Sequence, residues 1–288
     1  MRFARLATAI LIAGCAAPSC DSGAKSVATI RLATTTSARD TGLLDVLIPE
    51  FRRDTGIDVQ AIAVGTGEAL KYGERGDADV VLVHARKAED AFLARGFGVE
   101  RRDVWWNRFL IVGPEDASDN WDLWGAVYPV HYVPKDPTLA LRAVNTPPAV
   151  AVLEVIRERG YLFASRGDDS GTHKRELELW GKGFLKWPGY IETGQGMGPT
   201  LTIADEKNAF TLTDEGTYLK MRKRLRLKVV VKDDPALVNP YGVILPKDRP
   251  PAARTFFEWL TGDRCRALVK DFRVDGERAF FLPGEKPD

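Results

Sequence analysis

The run Asp79-Val80-Val81-Leu82-Val83 is apolar from its second residue onward. A strand of that kind must be covered on both faces, which places it inside a parallel sheet with helices above and below. The neighbouring segments keep the matching rhythm. Ala28–Ala33 alternates as a strand, a helical run extends from about Leu43 to Thr55, and Ile57–Val64 is a second strand. A helix over Glu68–Arg75, another over Lys87–Arg95 closed by Gly96, and a strand over Arg108–Val112 complete an α/β layer.

The second half repeats the pattern less regularly. Residues 114–150 hold Trp121, Trp124 and Pro147-Pro148 and read as an irregular excursion leading to a short helix. Helices are expected over Ala149–Arg159, His173–Gly181, Thr200–Lys207 and Asp214–Met221. Strands are expected over Tyr161–Ala164, Ala209–Leu212 and Val229–Val231. The proline-flanked strand Asn239–Pro246 reads as a crossover back to the first half, paired near Phe109–Val112, with an amphipathic helix over Pro251–Leu260 behind it. The chain thus predicts two lobes, residues 27–112 with 240–288 and residues 113–239, each a mixed, mostly parallel sheet flanked by helices. Two lobes joined by two strand segments close on a ligand like a hinge.

Charge bounds what the cleft can hold. Forty-one Lys and Arg against forty Asp and Glu leave a net charge of +1, so an anion would be held by local dipoles and one or two placed cations. The same balance excludes a nucleic-acid partner, which needs a basic surface. Met221–Lys228 is rich in cations but lies at a helix end, where they form a solvated face.

The N-terminus reads as a targeting signal. Met1–Arg5 is a short positive region, and Leu6–Ala13 is apolar but too short to span a bilayer. Ile12-Ala13-Gly14-Cys15 has the form of a lipobox, so Cys15 is expected to be lipidated, with residues 1–26 serving as leader and tether. Cleavage near Ala16-Ala17 is the alternative, and either way the chain is exported. Cys20 and Cys265 remain, either bridged in an oxidising compartment or unrelated, and no Cys–His spacing marks a zinc site.

Chemistry concentrates where strands hand over to helices. Thr34-Thr35-Thr36-Ser37 puts four hydroxyls at such a junction, where free N–H groups and the helix dipole favour an anion. One hydroxyl would serve as an ordinary cap; four exceed that need. Gly65-Thr66-Gly67 repeats the arrangement, with glycines allowing close approach. In the second half, Ser165-Arg166-Gly167-Asp168-Asp169-Ser170-Gly171-Thr172 joins hydroxyls to an arginine able to grip two oxygens at once. Both halves therefore offer donors at the carboxyl ends of strands, the edge where open α/β sheets bind ligands.

These segments resemble the tungstate-binding proteins of ABC importers. The resemblance is carried by Thr34–Ser37, Gly65–Gly67, Asp79–Ala85, Ser165–Glu176, Gly194–Gly198, Thr211–Asp214 and Asn239–Val243, and it runs through most of the mature chain except residues 119–148. It implies a type II-like periplasmic-binding-protein fold and capture of tungstate, with molybdate as a second cargo, for delivery to an ABC permease. It assigns the oxyanion contacts to Thr34, Thr35, Thr36, Ser37, Thr66, Ser165, Arg166, Ser170, Gly171 and Thr172. The expected protein is a monomer at the outer face of the cytoplasmic membrane or in the periplasm, with no cofactor and no resident metal.

Two other ligand readings stay open. A phosphate-binding protein would use Asp168 to accept a hydrogen bond from protonated phosphate, whereas tungstate has no proton to give, so the direction of that carboxylate separates them. A sensor subunit for a membrane kinase would have the same site. An enzyme using Ser170 or Thr172 with His173 as base is disfavoured, because adjacent residues at a helix start rarely align and no third group orients the imidazole.

Overall fold

The computed structural model describes residues 28–116 and 148–286. The leader with Cys15 and Cys20, His131 and the Trp- and Pro-rich excursion lie outside the described residues.

The apolar run forms β3 (Val80–Val83), fully buried, and lies parallel to β1 (Thr29–Thr35), which lies parallel to β2 (Asp58–Val64). Between them run α1 (Thr36–Asp40), α2 (Leu43–Thr55) and α3 (Thr66–Arg75), and α4 (Arg86–Ala94) follows β3. Helix α2 buries Leu43, Leu44, Leu47 and Phe51, the i, i+4 spacing of a core-facing stripe, and ends at Gly56 with φ +72°.

The next strand is much longer than its apolar stretch. β4 spans Gly98–Gly113, sixteen residues, although only Arg108–Val112 reads as strand in the sequence. Its first part, Val99-Glu100-Arg101-Arg102-Asp103, is charged and largely outward-facing, and tertiary pairing rather than periodicity makes it a strand. The partner is β9 (Val238–Pro246), antiparallel, with Arg108 opposite Val238, Asn107 opposite Asn239 and Trp105 opposite Tyr241. This corrects the expected pairing of the return strand with Phe109–Val112. Those residues instead pair with β7 (Thr211–Asp214), while Ile111–Gly113 also pair with β8 (Lys228–Val231).

One sheet therefore runs β2-β1-β3-β9-β4-β7, with β8 on β4, and a second pairs β5 (Phe163–Ser165) with β6 (Tyr190–Glu192) in parallel. The remaining helices are α5 (Pro148–Glu158), α6 (Gly171–Trp180), α7 (Met197–Glu206), α8 (Glu215–Met221), α9 (Pro251–Thr261) and α10 (Asp263–Asp271). β6 and α10 have no counterpart in the sequence reading, because three residues and a helix with Arg, Lys and Asp on most positions give little periodic signal.

Buried side chains gather on both sides of the place where β4 and β9 cross the molecule. One core draws on residues 30–105 and 241–280, including Phe51, Trp105, Phe256 and Phe257, with Leu219 added from α8. The other draws on residues 109–237, including Phe109, Phe163, Trp180 and Leu212. Cys265 is a buried free thiol in the first core.

Candidate functional site

Between the two cores, four segments converge: the end of β1, the start of α3, the 165–172 loop with the start of α6, and the turn before α7. Arg166 marks the meeting point. It is 2% exposed, and its Nη2 donates to Thr36 Oγ1 at 3.3 Å across the divide, while Nε donates to the Gln195 carbonyl at 3.3 Å. The starts of α3 and α6 face each other closely. A Cβ on Gly65 would sit 3.5 Å from the Asp168 carbonyl, and one on Gly67 would come within 2.5 Å of Asp169 Oδ2.

The four-hydroxyl run divides its labour. Thr34 and Thr35 are the last residues of β1, and a short helix, α1, begins at Thr36 ahead of the expected helix at Leu43. The Thr34 hydroxyl donates to the Leu82 carbonyl at 2.9 Å and is spent on holding β1 to β3. Thr35 is the cap of α1, accepting from the Ala38 N–H at 3.3 Å. Thr36 meets Arg166, and Ser37 Oγ lies 3.2 Å from His84 Nε2.

Thr66 and Thr172 are different. Both are essentially fully buried, at the first residue of α3 and the second of α6, and neither hydroxyl has a hydrogen-bond partner within the protein. A buried hydroxyl left unpaired costs about 1–3 kcal/mol, so two of them on facing helix starts are costly. Helix α3 also lacks any side-chain cap, which leaves the N–H groups of its first turn unpaired by side chains. With Arg166 beside them, these groups form a set of donors that can solvate an oxyanion.

The acid in the loop points to protein. Asp168 Oδ2 accepts from Arg166 Nη2 at 2.5 Å, and Oδ1 accepts from the Ser170 N–H at 3.2 Å. Ser170 caps α6, its hydroxyl accepting from the His173 N–H, while His173 Nδ1 accepts from the Asp169 N–H at 3.1 Å. The imidazole is therefore turned to the loop backbone, not to the Ser170 hydroxyl, and no nucleophile–base pair forms there.

Behind Arg166, Ser165 donates to Glu176 Oε2 at 2.7 Å and accepts from the Gly167 N–H, so it shapes the loop. Glu176 also receives the Tyr190 hydroxyl and Trp180 Nε1. Burial raises its carboxyl to about 7 against these donors. Asp214, fully buried as the cap of α8, is likewise pushed up by burial to about 6, with nearby Arg166 opposing. Glu176, Asp214, Gln195 and His84 are missing from the sequence reading of the site. Glu176 is the one with a visible signal, since a carboxylate on the core face of an amphipathic helix needs partners.

Among the described residues no group of His, Cys, Asp and Glu is arranged to hold a metal ion, and no helix is long and apolar enough to cross a membrane. The cationic stretch after α8 is paired: Arg222 with Asp275 and Glu277, Lys223 with Asp275, and Arg226 with Asp205.

A sequence-family description, the PBP superfamily domain, matches residues 21–264. The tungstate-binding protein TupA of Peptoclostridium acidaminophilum is 41% identical over 276 residues, covering 92% of this chain and 90% of that one. Among solved structures, the tungstate ABC transporter from Geobacter sulfurreducens is 39% identical with a TM-score of 0.68, covering 85% of this chain and 98% of that chain. The tungstate-binding protein TupA from Desulfovibrio alaskensis is 36% identical with the same TM-score, covering 90% and 100%.

Proposed function

The chain belongs to the family of the TupA tungstate-binding proteins within the PBP superfamily, and on that premise we propose that it captures tungstate for an ABC importer. Two lobes, residues 27–112 with 240–288 and residues 113–239, would enclose the anion at the facing starts of α3 and α6. Thr66, Thr172 and Arg166 are the side chains proposed to donate to it, with the Thr36 hydroxyl and the Ser37 N–H at the start of α1 and the Gly171 N–H at the start of α6. Thr34, Ser165 and Ser170 act behind them: their hydroxyls are committed to β3, Glu176 and the cap of α6.

The observation that carries tungstate over phosphate is Asp168. Both its oxygens are engaged by protein donors, Arg166 Nη2 and the Ser170 N–H. A site for protonated phosphate wants a free carboxylate acceptor, whereas a fully deprotonated tetrahedral dianion is served by donors alone. Molybdate shares that chemistry and is the expected second cargo. The reading is one of binding rather than catalysis. Export, lipidation at Cys15, residence at the outer face of the cytoplasmic membrane and a monomeric state complete the proposal. They rest on the N-terminal sequence and on the role of the family.

Calorimetry of the ligand-free protein against tungstate, molybdate, sulfate and phosphate tests it. Tight binding of tungstate with phosphate at least a hundredfold weaker is expected. Preference for phosphate would overturn the ligand and leave the fold intact.

A further inference from the structure

His84 is buried at the end of β3, and it touches all three parts of the molecule that must come together around the site. Its Nε2 lies 3.2 Å from Ser37 Oγ at the start of α1. Its Nδ1 lies 2.9 Å from Asn239 Oδ1 on β9, one of the two strands that cross between the cores. Its ring lies against Gly171, the first residue of α6, where a Cβ would stand 2.7 Å from Nδ1 and closer still to Cε1. Only glycine lets the two halves approach this far.

Asn239 Nδ2 donates to Asn107 Oδ1 at 2.7 Å on the neighbouring strand, so Asn239 Oδ1 is the atom turned to the imidazole. An amide oxygen only accepts, and therefore His84 Nδ1 carries the proton. Burial keeps the ring neutral, leaving Nε2 with a lone pair for the Ser37 hydroxyl to donate into. The Ser37 proton is thereby directed away from the cleft, and α1 is tied through His84 to the crossover strand.

We infer that His84 is a positioning residue for capture, which orients Ser37, anchors it to Asn239 on β9, and seats against Gly171 so that closure of the two halves and assembly of the cradle are one event. This rests on the oxyanion-capture reading above. It also gives Gly171 a role distinct from contact with the anion: the residue is small because His84 occupies the space a side chain would need.

The test is a set of tungstate titrations by calorimetry, with circular dichroism to verify folding. Gly171→Ala should weaken binding at least tenfold. His84→Ala combined with Gly171→Ala should bind at least threefold more tightly than Gly171→Ala alone, because truncating the ring frees the space. His84→Gln, whose Oε1 can accept from Ser37, should keep more affinity than His84→Ala. Wild-type affinity in Gly171→Ala, a double variant no better than that single one, or Gln and Ala equal at position 84 would overturn the inference. Independently of ligand, a long-range ¹⁵N–¹H spectrum of the wild-type protein should show the His84 proton on Nδ1, and a proton on Nε2 would overturn the relay. A wild-type protein that binds no oxyanion would instead defeat the functional reading, and the imidazole spectrum would still judge the His84 geometry.

Discussion

Arg166 Nη2 and the Ser170 N–H are both held by Asp168, through Oδ2 at 2.5 Å and Oδ1 at 3.2 Å, so one carboxylate fixes the cation and the start of α6 together. The pair is buried on the arginine side, whose side chain is 2% exposed against 19% for the aspartate. An arginine oriented in advance loses less entropy when it grips a ligand, which is what a selective anion site requires.

Arg166→Ala is expected to weaken tungstate binding by about 1.5–3 kcal/mol with the fold retained. Asp168 separates two effects. Asp168→Asn keeps an acceptor for the Ser170 N–H but turns its amide nitrogen to Arg166 Nη2. The cation is released while a negative charge near the anion is removed, so affinity should fall less than in Asp168→Ala. Asp168→Ala releases both partners and should lower affinity roughly tenfold, about 1.4 kcal/mol. Calorimetry on the three variants decides it, and wild-type affinity in Asp168→Ala would contradict the positioning role.

Thr66 and Thr172 make a prediction in which stability and binding move in opposite directions. Valine has the shape of threonine without the hydroxyl, and each of these hydroxyls is buried without a protein partner. Thr66→Val and Thr172→Val should therefore leave the melting temperature of the ligand-free protein unchanged or raised, while each weakens tungstate binding by about 1 kcal/mol or more. A variant that loses stability but keeps its affinity would show that the hydroxyl serves the fold instead.

Those two residues also mark how far the sequence could be read. Thr66 and Thr172 sit at strand–helix junctions that hydrophobic periodicity locates, and Arg166 lies in the most distinctive string of the chain. Thr34 looked equivalent to its neighbours, yet its hydroxyl is consumed by the Leu82 carbonyl, a contact 48 residues away that no local pattern encodes. His84 lies inside the Asp79–Ala85 segment that carries the resemblance, but nothing local in the sequence marks it as part of the site. Its role depends on Ser37, Asn239 and Gly171, which β-sheet order and helix packing bring together from distant parts of the chain. The first half of β4 was hidden for the same reason, since Glu100, Arg101 and Asp103 become strand only by pairing with β9.

Two buried groups near the site make stability depend on pH in opposing ways. Burial lowers His84 from 6.5 to about 4. As pH falls through 6.5 the unfolded chain takes up a proton that the native state refuses, so stability is lost between pH 6.5 and 4, by on the order of 3 kcal/mol. Burial raises Glu176 from 4.5 to about 7. Its contribution is full below pH 4.5 and is lost as pH rises through 7, by a comparable amount. Glu176→Gln removes only the second effect, whatever Asp214 adds to both proteins. The melting temperature of Glu176→Gln minus that of wild type should therefore increase from pH 5 to pH 7 and level off above it. A difference independent of pH would show that the carboxyl is not protonated in the native state.

The last prediction concerns the scaffold beneath β9. Glu89 is fully buried on α4, with Oε2 accepting from Arg101 Nε at 2.7 Å and Oε1 accepting from the Ala85 N–H at 2.7 Å, directly after His84. Gly242 on β9 passes over the pair, and a Cβ there would stand 2.6 Å from Arg101 Nη2. Breaking a buried pair strands the remaining charge, so Glu89→Ala should destabilise the protein by about 3–5 kcal/mol. Replacing both partners, as Glu89→Leu with Arg101→Met, leaves no charge behind and should cost markedly less, though the Ala85 N–H loses its acceptor. Urea unfolding of the single and double variants measures the difference. Equal losses would mean that the attraction between the two charges, rather than the cost of stranding one, dominates at this point of the fold.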